Sequence, residues 1–66
     1  MIAVRSSNLK AVDYDAGGLL VAFHSGSLYR YFNVPYAKFT GLLNASSKGG
    51  YLAAQIKPYY SYRRIR

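Results

Sequence analysis

Apolar and polar positions in the first half of the chain follow the short period of strands. Apolar residues recur through residues 9–14, a turn signal follows at residues 15–18, and Leu19–Phe23 is a continuous apolar run. After His24-Ser25-Gly26 the period of two resumes over Ser27–Phe32. The pattern predicts three antiparallel strands joined by tight connections, which is a meander.

The length of the second connection decides which side chains share a face of the sheet. A two-residue loop would pair Phe23 with Leu28 and place Val21 beside Arg30. A three-residue loop would put Gly26 in the left-handed position of a G1 bulge and pair Phe23 with Ser27. We favour the three-residue loop because it gathers the large apolar groups without burying a guanidinium. The shared face then holds Leu19, Val21, Phe23, Tyr29 and Tyr31.

The opposite face of this predicted sheet is mixed in character. It holds Leu20, Ala22, His24, Leu28, Arg30 and Phe32. This set is apolar enough to be partly covered and basic enough to serve as a docking surface. Either Met1–Arg5 or the C-terminal tail could pair with an edge of the sheet as a further strand.

The spacing of apolar residues becomes helical after Val34. Pro35 suits a first helical position, with Asn33 or Val34 as the preceding cap, and Asn has the better capping side chain. The apolar stripe of this helix consists of Tyr36, Phe39, Leu42 and Leu43.

A second short helix is predicted from Lys48 to Lys57. Ser46 and Ser47 offer its N-cap, and Pro58 ends it. Residues 59–66 form an aromatic and basic tail, extended or loosely ordered. The whole chain, residues 1–66, is therefore predicted to be one α+β domain: a small antiparallel meander sheet of three or more strands with two short helices packed on one face.

Composition narrows the kind of protein. The 66 residues include nine Lys or Arg, two Asp, one His and no Cys, for a net charge of +7, and 52% are hydrophobic. Such hydrophobicity disfavours intrinsic disorder, and no disulfide can form. No apolar stretch approaches the ~18 residues of a membrane span, and the N-terminus lacks the layout of a signal peptide. We therefore expect a cytoplasmic, monomeric protein that does not insert into membranes.

The inventory of reactive side chains disfavours catalysis. Asp13 and Asp15 are the only carboxylates, and both flank a turn. His24 is the only imidazole, so a normal zinc site lacks its three or four ligands. Ser25 is adjacent to it, but no third group would orient such a pair. We expect no catalytic residues, no metal and no cofactor.

Positive charge and tyrosines point to a binding role. The charge attracts polyanions, and unpaired bases stack on aromatic rings and guanidinium planes. The predicted RNA-binding residues are Arg30, Lys57, Tyr60, Tyr62, Arg63, Arg64 and Arg66, whereas Tyr29 and Tyr31 are assigned to the core. The alternative is a protein-interaction module that docks through Leu20, Leu28 and Phe32, with the charge serving solubility.

The chain also resembles the KTSC domain over nearly its full length. The matching residues are Val4-x-Ser6-Ser7, Tyr14-Asp15, Leu19-x-Val21-x-Phe23-x-x-Gly26-x-x-Tyr29-x-Tyr31-x-x-Val34-Pro35, Ala45-x-Ser47-x-Gly49, Ile56-Lys57 and Tyr60-x-x-Arg63. Tyr29-Arg30-Tyr31 matches the central Tyr-x-Tyr of that family. The family is named for its occurrence at the C-terminus of some lysyl-tRNA synthetases, and it also occurs as a small stand-alone bacterial protein. The resemblance implies an RNA partner.

Overall fold

Five antiparallel strands form a single sheet whose order across the sheet is the order along the chain. The computed structural model describes all of residues 1–66. The strands are β1 (Ile2–Ala3), β2 (Leu9–Asp15), β3 (Gly18–Phe23), β4 (Leu28–Tyr31) and β5 (Tyr62–Arg64). Between β4 and β5 lie two short helices, α1 (Tyr36–Asn44) and α2 (Lys48–Tyr51), and α2 continues into a π-helical turn, Leu52–Ile56. The predicted α+β class and the antiparallel meander are confirmed.

Both ends of the chain contribute edge strands. β1 pairs with β2, with Ile2 opposite Val12, and β5 pairs with β4, with Arg63 opposite Arg30. Beyond β5, the amide of Ile65 donates to the carbonyl of Leu28 at 2.7 Å. The tail is thus hydrogen-bonded into the sheet.

The β3–β4 hairpin has the predicted three-residue loop. Gly26 has a φ of 98°, and the amide of Phe23 donates to the carbonyl of Ser27 at 2.9 Å. Tyr31 lies opposite Leu19 and Tyr29 lies opposite Val21. The register that keeps the guanidinium out of the core is therefore confirmed.

The β2–β3 turn depends on a glycine where the chain crosses close to β4. Gly18 has a φ of 115°, and a Cβ there would collide with the carbonyl oxygen of Tyr31. At the start of the turn, the amide of Gly17 donates to Oδ1 of Asp15 at 2.8 Å. An L side chain at position 18 would meet both penalties, backbone strain and a clash.

Helix α1 begins one residue later than predicted. Pro35 is itself the N-cap, with a ψ of 150°, and no side chain caps the helix. Asn33, the expected capping side chain, has a φ of 61°. Asn33 occupies a left-handed turn position, which Asn tolerates. It lies before Pro35, the residue at the N-cap, and so does not cap the helix. The hydroxyl of Tyr14 fixes this entry by donating to the carbonyl of Val34 at 2.6 Å.

Helix α2 begins at the predicted cap. Ser47 is the N-cap, and its Oγ accepts from the amide of Gly50 at 3.2 Å. In the π-helical turn, the amide of Lys57 donates to the carbonyl of Leu52 at 2.9 Å. Leu52 and Ile56 are both buried.

One hydrophobic cluster joins strands and helices. Its ten buried residues are Leu9, Val12, Leu19, Val21, Tyr31, Val34, Phe39, Leu42, Leu52 and Ile56. The ring of Tyr14 bridges sheet and helix by stacking on Phe39, with ring centroids 5.4 Å apart. Full burial of such side chains contributes about 1.5–3 kcal/mol each. Neither helix has the length and hydropathy required to cross a membrane.

Candidate nucleic-acid interface

A groove of about 530 Å³ opens on the face of the sheet that also carries the core. We call it the aromatic groove. It is lined by Phe23, Tyr29, Tyr31 and Tyr62, with Ser7, Asn8, His24, Ser25, Ser27 and Lys57 completing its wall. Strand alternation explains the aromatic lining, because Tyr29 and Tyr31 lie two residues apart on β4 and Tyr62 on β5 lies opposite Tyr31.

The aromatic rings of the groove contact one another. Tyr29 stacks on Tyr62 with centroids 5.4 Å apart, and Phe23 meets Tyr29 edge-on at 5.5 Å. The rings of Tyr31 and Tyr62 are also in contact, with centroids 5.7 Å apart. Tyr62 nevertheless keeps 59% of its surface exposed. An aromatic wall that is open to solvent can stack on a planar ligand.

The electrostatics of the aromatic groove favour neutral or anionic ligands. Lys57 is its one cation, and no carboxylate lines it. Burial, followed by the neighbouring phenols of Tyr29 and Tyr62, raises the pKa of Tyr31, which holds this phenol in its neutral form. Nε2 of His24 lies 3.0 Å from the carbonyl oxygen of Ser6, which fixes the ring at the rim.

A second depression lies at the β4–β5 end of the sheet and is basic. We call it the arginine hollow; its lining residues are Arg30, Phe32, Arg63, Arg64 and Ile65. Arg30 and Arg63 are directly opposite across the two strands, an unfavourable arrangement for like charges. Asp15 reduces the repulsion between the two arginines, because its carboxylate binds the guanidinium of Arg30. That hydrogen bond, with a lesser one from the amide of Gly17, lowers the pKa of Asp15.

The predicted RNA-binding residues do not form one surface. Lys57 and Tyr62 lie in the aromatic groove, whereas Arg30, Arg63 and Arg64 lie in the arginine hollow. The predicted set combined neighbouring residues of the tail in one surface. Alternation along β5 sends Tyr62 and Arg63 to opposite faces of the sheet.

The last two predicted residues lie outside both depressions. Tyr60 is partly buried and packs against the hydrophobic core. The side chain of Arg66 is exposed, and its carbonyl oxygen accepts from the amide of Leu28 at 2.8 Å. Tyr60 is therefore not part of the aromatic wall.

The two tyrosines assigned to the core differ. Tyr31 is 2% exposed and belongs to the core, as predicted. Tyr29 and Phe23 are only partly buried: they pack against the core and line the aromatic groove with their remaining surface. Tyr29 therefore belongs to the core only in part, because the groove opens above its ring.

The polar wall of the groove was not predicted from the sequence. Ser7, Asn8, Ser25 and Ser27 come from two loops, and no motif marks them. His24, assigned to the opposite face by continuing the alternation of β3, lies beyond the end of that strand and turns to the groove. Assigning the tail as a strand beside β4 would have placed Tyr62 next to Tyr31 and indicated the aromatic part.

Comparison with known proteins gives consistent matches. Residues 5–60 match the sequence profile of the KTSC domain. An uncharacterized protein from Stutzerimonas stutzeri is 42% identical over 67 residues, covering 97% of this chain and 94% of that protein. A lysine–tRNA ligase from a Nostoc species is 36% identical over 67 residues, which are 98% of this chain and 12% of the ligase. The crystal structure of a KTSC domain protein from Yersinia pestis matches with a TM-score of 0.89 and 29% identity, covering 97% of this chain and 93% of that one.

Proposed function

This chain belongs to the KTSC domain family, and from that premise we propose that it is a small, non-enzymatic module that binds single-stranded RNA through the aromatic groove. The observation that carries the proposal is the open wall formed by Phe23, Tyr29 and Tyr62, with Lys57 beside it and no carboxylate in the lining. Unpaired bases stack on such rings while a cation neutralises phosphate. The net charge of +7 would draw a polyanion toward it.

The relatives support an RNA partner. One of them is a lysine–tRNA ligase, a protein whose name specifies a tRNA. The match covers 12% of that ligase, so it supports a shared module rather than shared chemistry. An RNA ligand also accords with a cytoplasmic location for this chain.

The absence of catalysis is part of the proposal and rests on the state of the reactive groups. Asp15 is bound to Arg30, and Asp13 lies 3.9 Å from the N-terminal amine. Neither carboxylate lines the aromatic groove, where His24 is the one imidazole. A binding role requires no such reactive group in the groove.

The test is a titration of the protein with fluorescent single-stranded oligouridine at several salt concentrations. Stacking on one ring contributes about 1–3 kcal/mol, so we expect Tyr62→Ala to weaken binding about 5- to 150-fold. Tyr59→Ala is the matched control, because Tyr59 is 70% exposed and lies outside the groove. Wild-type protein that shows no salt-sensitive binding at low ionic strength, or equal losses in the two variants, would contradict the proposal.

The alternative function is docking of a partner protein on the opposite face of the sheet. The observation in its favour is that Leu20, Leu28 and Phe32 are only partly buried there, with Ile65 51% exposed nearby. Binding through apolar contacts changes little with salt, whereas phosphate contacts weaken steeply. Leu28→Asp would abolish such docking and leave oligouridine binding unchanged.

A further inference from the structure

A third depression, of about 310 Å³, adjoins the aromatic groove and is entirely polar. We call it the serine hollow. Its lining comes from two segments of the chain, residues 5–8 and residues 46–50. It contains two cationic side chains and four hydroxyls, and neither a carboxylate nor an apolar side chain. Ser7 and Asn8 line both this hollow and the aromatic groove, so the two are separated by one short segment of chain.

The chemistry of the serine hollow fits an oxyanion. The guanidinium of Arg5 is exposed and forms no ion pair, so its donors are available to a ligand. Nζ of Lys48 donates one proton to the carbonyl of Ala45 at 2.8 Å and retains two others. Charge-assisted hydrogen bonds from such groups to phosphate oxygens are among the stronger polar contacts in proteins.

The walls of the serine hollow are held in place by local hydrogen bonds. Oγ of Ser6 accepts from the amides of Asn8 and Leu9, both at 3.3 Å. On the other wall, Oγ of Ser47 is engaged as the cap of α2. Arg5 follows Val4, whose amide donates to the carbonyl of Lys10 at 3.2 Å. A ligand would meet a site that is largely formed in advance.

We infer that the serine hollow binds a backbone phosphate of the strand whose base stacks in the aromatic groove. The inference rests on the proposed function and adds Arg5 and Lys48 to the residues that hold the RNA. The shared wall of Ser7 and Asn8 places the phosphate site directly beside the base site. The cations come from two segments that are distant in sequence, which is why no phosphate-binding motif marks them.

The test compares Arg5→Ala with Lys10→Ala in the oligouridine titration. Both substitutions remove one positive charge from an exposed side chain close in sequence, but Lys10 lines none of the three depressions. Loss of one phosphate contact on a single strand lowers the slope of log K against log salt by ~0.7. We expect that decrease for Arg5→Ala and a clearly smaller one for Lys10→Ala, with unchanged melting curves for both.

A second measurement uses inorganic phosphate alone. We expect its addition to shift the amide resonances of Ser7, Asn8, Gly49 and Gly50 in the wild type, and to shift them less in Arg5→Ala. RNA binding that depends on Tyr62 but falls equally in Arg5→Ala and Lys10→Ala would overturn the phosphate site and leave the proposed function intact. Failure of the wild type to bind oligouridine would overturn both.

Discussion

The aromatic groove and the arginine hollow flank the same two strands, yet they differ in almost every property. The groove carries four aromatic side chains, one lysine and a polar rim. The hollow carries three arginines with Phe32 and Ile65. One of these arginines is already bound to a carboxylate, that of Asp15. The groove offers stacking surface with little charge, and the hollow offers charge with little stacking surface.

This difference shows how strand alternation sorts a mixed sequence. Tyr29-Arg30-Tyr31 and Tyr62-Arg63 each interleave aromatic and basic residues. Once β4 and β5 pair, the tyrosines face one side and Arg30 and Arg63 face the other. Adjacent residues in such a segment therefore belong to separate surfaces, and each surface requires its own test.

The largest expected effect separates the core from the wall of the groove. Tyr31→Ala removes a side chain that is 2% exposed, and we expect a loss of about 3–5 kcal/mol in the free energy of unfolding, as for other buried aromatics. Tyr62→Ala, on an exposed side chain, should leave chemical denaturation close to that of the wild type. Similar denaturation midpoints for the two variants would show that Tyr31 and Tyr62 do not differ in their contribution to the stability of the fold.

The next effect concerns the register that separates the two faces. Gly26 has a φ of 98° with open space around it, so a side chain there meets only a backbone penalty. We expect Gly26→Val to lower the free energy of unfolding by about 1–3 kcal/mol. Gly26→Asn should cost less, because Asn tolerates left-handed backbone. Equal costs in thermal denaturation would mean that the backbone conformation of this loop does not constrain the hairpin.

The smallest effect compares one charge on each face. Lys57 lines the aromatic groove and Arg63 lines the arginine hollow, and both are exposed. If the strand lies on the groove face, Lys57→Ala lowers the slope of log K against log salt by ~0.7 and Arg63→Ala lowers it by less. Titration with oligouridine at several salt concentrations measures both slopes. A larger decrease for Arg63→Ala would move the binding surface to the opposite face.

The local parts of the fold were accessible from sequence because their signals are local. Gly26 with its flanking pattern specifies the β3–β4 register, and Ser47 specifies the start of α2. The assignment of residues 62–64 was not accessible in this way. The three residues of β5 are too few to show an apolar–polar period in the sequence, and the pairing of β5 with β4 spans the whole helical segment.

The candidate site was predictable only in part for the same reason. Lys57 and Tyr62 were identified by type, but their neighbours in space come from loops near residues 7 and 25. Composition identifies which side chains attract an anion, whereas the pairing of distant strands decides which of them act together. Asn33 is a local example of a residue whose type did not predict its role. Its side chain suits a helix cap, but its left-handed backbone in the turn before α1 prevents that role.

The position of β5 has a consequence for the dynamics of the aromatic groove. This strand is at the edge of the sheet, and all three of its residues are exposed. Edge segments with little buried surface open locally at a small fraction of the global unfolding free energy. We expect the backbone amides of β5 to exchange with solvent faster than those of β2 and β3, and an oligonucleotide to slow that exchange. Each such opening would withdraw Tyr62 from Tyr29 and leave the buried cluster intact, so under the proposed function the fraction of time that β5 is paired would set the fraction of molecules competent to bind RNA.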